Sequence, residues 1–119
     1  MMKFGDLLKE KRLRKGISLR AMAEKLDIAP SYMSDIEKGY RNAPTKEILE
    51  NVIKVLELSS DEEIEFLDLA ARSKSTVAND IVEYVNDNPN IRVALRKAKD
   101  LNFGDEEWIK IIEEMANKK

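Results

Sequence analysis

The 119-residue sequence contains no cysteine and no histidine. Without cysteine there are neither disulfides nor thiolate zinc sites, and a reducing compartment is the natural one. Without histidine the usual zinc ligands, the commonest general base and the Ser-His-Asp and Cys-His arrangements are gone as well. Catalysis would have to rest on carboxylates or lysines. Charged residues are 37% of the chain, but solvated helix faces account for them more simply. No acid pair lies in an apolar setting that would split two pKa values, so neither an enzyme nor a cofactor is expected. Long apolar runs are missing too: nothing approaches the ~20 residues of a membrane span. The opening "MMKFGDLLKEKR" has no apolar h-region, and a soluble, cytoplasmic protein is expected. Glycine (four) and proline (three) are scarce and fall mostly at apparent boundaries. Sustained period-two alternation is absent while helical spacing is nearly everywhere, which predicts an all-α fold.

What is present suffices for a core. Hydrophobic residues make up 43% of the sequence, and the length suits one compact domain or two small helical units. The net charge of −2 hides an asymmetry. Residues 1–58 hold twelve Lys/Arg against nine Asp/Glu, a surplus of +3, whereas residues 59–119 hold nine against fourteen, or −5. The first half is the candidate for contact with phosphates, and the second would be repelled by them.

The spacing predicts a first helix over residues 3–15, with Phe4, Leu7, Leu8 and Leu13 inward and Gly16 as a left-handed stop. A second opens after Ser18, a capping residue, and buries Met22, Ala23 and Leu26. A third runs from Pro30 to Gly39 with Met33 and Ile36 inward. A fourth begins near Pro44 and Thr45 and buries Ile48, Leu49, Val52, Ile53 and Leu56. Ser60 and Glu63 read as a capping box for a fifth helix ending at Ala71. The polar "RSKST", residues 72–76, is the expected linker between a domain at 1–71 and a helical region at 77–119. That region holds helical stretches at 81–85, 91–101 and 105–117. In the last, Gly104 as N-cap would let Phe103 and Trp108 form a hydrophobic staple, and Trp108, Ile111, Ile112 and Met115 share one apolar stripe.

Two short helices joined across "DIA", the second with an inward pair and a polar outer face, have the form of a helix-turn-helix, whose second helix can lie in the DNA major groove. The stretch "ISLRAMAEKLDIAPSYMSDIEKGYRNAPTKEILENVIKVL" resembles the Cro/CI-type (XRE family) helix-turn-helix of prokaryotic and phage transcriptional regulators. The likeness spans about residues 3–58 and rests on Ser18, Ala23, Ile28, Pro30-Ser31-Tyr32, Ile36-Glu37-Lys38-Gly39 and Pro44. It implies a five-helix Cro/CI-like (lambda repressor-like) domain in a prokaryotic, nucleoid-associated protein. It also implies an ion pair between Glu37 and a base on the first helix, for which Arg12 is the matching residue. Two positions depart from the family pattern: Asp27 stands where glycine is usual in the turn, and Leu19 replaces a common glutamine. Asp tolerates the left-handed conformation better than most residues. Leu19 leaves only backbone N–H groups at that helix N-terminus to meet a phosphate.

On this reading Ser31, Tyr32, Ser34 and Asp35 would face base edges. Ser18, Leu19, Arg20, Lys38, Arg41 and Asn42 would lie near phosphates. The alternatives are a partly buried ring at the domain edge for Tyr32, and a solvated acid or a partner of Arg20 for Asp35. One such unit reads only a half-site, so a homodimer on a palindromic operator is expected, with Trp108, Ile111, Ile112 and Met115 as the dimer or partner surface. The other reading of residues 77–117 is a cap on the monomer's own core. "ANDIVEYVNDNPNIRVALRKAKDLNFGDEEW" is similar to the tail of small regulators from mobile elements and phages, some of them neighbours of ImmA/IrrE-type metalloproteases, which implies a protease partner. The expected function is a DNA-binding repressor. An antitoxin-like interaction module that binds DNA only for autoregulation is the rival.

Overall fold

The computed structural model describes residues 2–74 and 76–118, and of Asn79 the backbone alone. Among the described residues it contains eight helices and no strand: α1 (Phe4–Arg14), α2 (Leu19–Leu26), α3 (Pro30–Lys38), α4 (Lys46–Leu56), α5 (Ser60–Ser73), α6 (Asn79–Asp87), α7 (Asn90–Asp100) and α8 (Asp105–Ala116). None of them is long and apolar enough to cross a membrane. The chain divides into two compact units, Met1–Ile81 and Val82–Lys119.

In the first unit α1 packs on α3 and α5, and α2 packs on α3 and α4. The largest fully buried side chains are Phe66, Leu8, Met22, Met33, Ile36 and Val52. The rings of Phe4 and Phe66 meet at 4.9 Å with their planes tilted by 42°, within the range favoured by aromatic pairs. Of the α4 stripe, Leu49, Val52 and Leu56 are buried, and Ile48 and Ile53 lie half-buried at its edges.

Leu13 departs from the expected inward position and is 58% exposed. Residues 4, 8 and 12 run down one helical face, and the slot after Leu8 is occupied by the charged Arg12, which is buried. Beyond it Gly16, at φ 71, closes the helix. Its N–H donates to the Leu13 carbonyl and that of Ile17 to the Arg12 carbonyl, the bonding of a Schellman motif.

The capping box of α5 sits one residue earlier than expected. Ser59 Oγ accepts from the Glu62 N–H at 3.3 Å, and the Ser59 N–H donates to Glu62 Oε1 at 2.9 Å. Glu57, left-handed at φ 50, turns the chain after α4, the Leu58 N–H returns to the Ile53 carbonyl, and the extended Ser59 is the N-cap of α5.

Of the stretch expected as a linker, residues 72–74 and 76 fall in the first unit. Ser73 Oγ accepts from the Ala43 N–H at 3.1 Å, and Lys74 Nζ donates to the Pro44 carbonyl at 3.1 Å. The Thr76 N–H donates to the Ala71 carbonyl, and Ala78 is buried. These polar residues supply hydrogen bonds to the α3–α4 connection, which lacks helical partners of its own; Ser75 lies outside the described residues.

In the second unit α7 ends at a left-handed Asn102, with the Phe103 N–H donating to the Ala98 carbonyl. Gly104 is the N-cap of α8, and its N–H donates to Glu107 Oε2 at 2.9 Å. Phe103 and Trp108 form the staple across this start, 5.7 Å apart and edge to face. Trp108 and Ile111 are half-buried, whereas Ile112 is 59% and Met115 58% exposed.

Candidate nucleic-acid interface

The geometry is built from the α2–α3 corner. Ser18 caps α2 by accepting from the Ala21 N–H at 3.0 Å. Ala23, fully buried, is small enough to let the two helices cross closely. The corner residue is Asp27, at φ 56 and ψ 47, the left-handed region that aspartate enters more readily than most non-glycine residues. The Ile28 N–H returns to the Ala23 carbonyl, Ala29 is extended, and Pro30 opens α3.

Once started, α3 buries Met33, Ile36 and Glu37. That leaves its other face for solvent. Ser31 and Lys38 are exposed, and Tyr32, Ser34 and Asp35 are half-buried. Of the four side chains expected at base edges only Ser31 is therefore exposed. Ser18, Arg20, Arg41 and Asn42 are exposed, whereas the Leu19 side chain packs against the core. The Tyr32 ring also packs against the core, and the Arg41 guanidinium carbon stands 5.7 Å from its centroid.

Behind α3 lies the buried pair. Arg12 Nε donates to Glu37 Oε2 at 2.7 Å, Nη2 to Oε1 at 2.9 Å, and Nη1 to the Ile17 carbonyl at 2.9 Å. The fork-on-fork geometry is the strongest that an arginine and a carboxylate make. The hydrogen bond to Glu37 holds the Arg12 guanidinium more firmly protonated than usual, against the opposing effect of burial.

Two residues of this region are missing from the sequence expectations. Gly5 places its Cα against the carboxyl end of α3, where an added Cβ would lie 2.5 Å from the Glu37 carbonyl oxygen and 2.6 Å from that of Ile36. Its one sequence signal is a lone glycine inside a helical pattern. Tyr40, 75% exposed between Lys38 and Arg41, carries no periodic signal because it lies in a connection.

A family model described as helix-turn-helix matches residues 8–62, the stretch that contains this corner. Residues 8–62 resemble a helix-turn-helix domain. The chain is 42% identical over 55 residues to the HTH-type transcriptional regulators SinR of Bacillus subtilis (strain 168) and of Bacillus licheniformis. The match takes in 46% of this chain and 50% of each relative, so the chain spans about half the length of the curated relatives it matches. Among solved structures, the clp gene regulator ClgR from Corynebacterium glutamicum is 29% identical with a TM-score of 0.48, covering 69% of this chain and 85% of that one. The SinR protein/SinI protein complex is 28% identical with a TM-score of 0.48, covering 85% and 99%.

Proposed function

We propose that the helix-turn-helix binds duplex DNA by laying α3 in the major groove, and that the chain acts as a transcriptional repressor. The observation that carries the reading is the division of α3 itself. Met33, Ile36 and Glu37 anchor one side, and the other leaves Ser31, Ser34, Asp35 and Lys38 at or near solvent on a helix seated by an identified helix-turn-helix corner. Ser31, Ser34 and Asp35 are the side chains for base edges, where a hydroxyl can donate or accept and Asp35 can accept from a cytosine amino group. Ser18, Leu19 through its backbone, Arg20, Lys38, Arg41 and Asn42 are the phosphate contacts, which orient the protein without reading sequence. The proposal contains no catalytic step.

A single domain reads a half-site, so the working form is a homodimer on a palindromic operator, joined through the apolar residues that α8 leaves exposed. The same exposed Ile112 and Met115 favour a second reading, in which that face receives another protein, as in an antitoxin or the target of a regulatory protease.

The test is selection of duplexes from a random pool by the pure protein, followed by titration over a range of salt. Arg41→Ala should weaken binding to all sequences alike and lower the salt slope by about one. Ser31→Ala should change the preferred sequence. A pool that yields no preferred duplex, or an unchanged preference in Ser31→Ala, overturns the assignment of α3. A stable complex of the intact chain with a different protein at high salt, in place of the homodimer, establishes the second reading.

A further inference from the structure

Tyr32 and Arg41 are nine positions apart, on different elements, yet they meet at 5.7 Å, within the range over which an aromatic face attracts a guanidinium. The two side chains differ in freedom. Tyr32 stands in the first turn of α3 with its ring half-buried against the core. Arg41 is exposed in the α3–α4 connection, where no regular hydrogen-bond ladder holds the backbone. A long side chain in such a place loses rotamer freedom when it binds, and affinity falls accordingly. Contact with the ring supplies part of that order beforehand. The attraction acts on the charge and engages none of the five N–H donors, so all of them stay available to an anion.

We propose that Tyr32 is a positioning residue, its ring holding the Arg41 guanidinium in place for a DNA phosphate rather than reading a base edge itself. This inference rests on the DNA-binding reading and deepens it. The ring matters and the phenol hydroxyl does not. Arg41 in turn becomes a contact whose strength is set from the beginning of the recognition helix.

The experiment uses the full chain and the duplex it selects, with Tyr32→Phe, Tyr32→Leu, Arg41→Ala and the double variant Tyr32→Leu/Arg41→Ala. Leucine keeps apolar bulk against the core, so loss of folding does not obscure the result, and thermal melts check this. Tyr32→Phe should bind as the unaltered protein does. Tyr32→Leu should weaken binding by roughly two- to fivefold, the factor equivalent to an exposed cation–π contact, flatten the salt dependence and leave the preferred sequence unchanged. The double variant should be no weaker than Arg41→Ala. Losses that multiply in the double variant, or a new sequence preference in Tyr32→Leu, overturn the proposal.

Proton NMR of the free protein reads the contact without DNA. The Arg41 methylene protons should be shifted upfield by the ring in the unaltered protein and in Tyr32→Phe, and lose the shift in Tyr32→Leu. Absence of the shift in the unaltered protein also overturns the proposal. Failure of the DNA reading looks different: the shift is present, but no duplex gives saturable binding, and both readings fall together.

Discussion

At the scale of single residues, the buried charges of Arg12 and Glu37 weigh more than any surface ion pair among the described residues. Pairs such as Lys15 with Glu57 are exposed and contribute little. Arg12 and Glu37 are 5% and 8% exposed, and each satisfies the other's hydrogen bonds. Removing one partner strands a charge in the interior, so Arg12→Ala and Glu37→Ala should each destabilise the first unit by about 3–5 kcal/mol in urea titrations. The double variant Arg12→Met/Glu37→Leu should recover most of that loss. Gly5→Ala should cost about 1–3 kcal/mol through overpacking, although alanine is the better helix former by about 1 kcal/mol, because its Cβ would meet two backbone carbonyl oxygens. Apolar spacing alone could reveal neither feature. It placed Leu13 inward because it counts only hydrophobic side chains, and the position next to Leu8 on that face had been given to a charge. The partnership of Arg12 and Glu37 was legible only through the family resemblance.

At the scale of elements, most helix boundaries were written locally. Gly16 and Gly39 in left-handed conformations, Ser18 as a cap and Pro30 at a first turn are signals that act within a few residues. The start of α5 was offset by one because "SSDEE" offers the same Ser-to-Glu spacing in two registers. The choice between them involves contacts made elsewhere: the turn at Glu57 and Lys11 Nζ, 2.6 Å from Glu62 Oε2. The Lys11 hydrogen bond, followed by those from Ser59, lowers the Glu62 carboxyl from 4.5 to about 2. A carboxylate favoured in the folded state adds stability at pH above its unfolded value and loses it as pH falls through its folded one. Stability should therefore drop between pH 4.5 and about 2, and Glu62→Gln should flatten that part of a melting-temperature profile.

At the scale of the whole molecule, the sequence reading puts a linker at residues 72–76, and the chain clusters into Met1–Ile81 and Val82–Lys119. "RSKST" looks like a linker because it is polar, yet Ser73 and Lys74 spend that polarity on the backbone of Ala43 and Pro44. A sequence window cannot show a partner thirty residues away. The proposed dimer face also changes in emphasis. Trp108 is engaged with Phe103 inside its own unit, and Ile112 and Met115 are the members of the stripe left in solvent. Trp108→Ala should lower the stability of the second unit as well as affect assembly. Ile112→Glu/Met115→Glu should retain helicity by circular dichroism and move the sedimentation profile from dimer to monomer. Unchanged sedimentation in that double variant would place the pairing surface elsewhere.

One consequence follows from how α1 meets the rear of α3. A backbone-to-backbone approach at Gly5 and a two-pronged ion pair at Arg12 grip the carboxyl end of α3 from one side. Rocking that helix would tear a buried charged pair apart. In the proposed binding mode that helix would keep its free pose on docking, with no slow internal rearrangement between collision and contact. The speed of that proposed association would then be left to diffusion and to long-range attraction, with ionic strength tuning it.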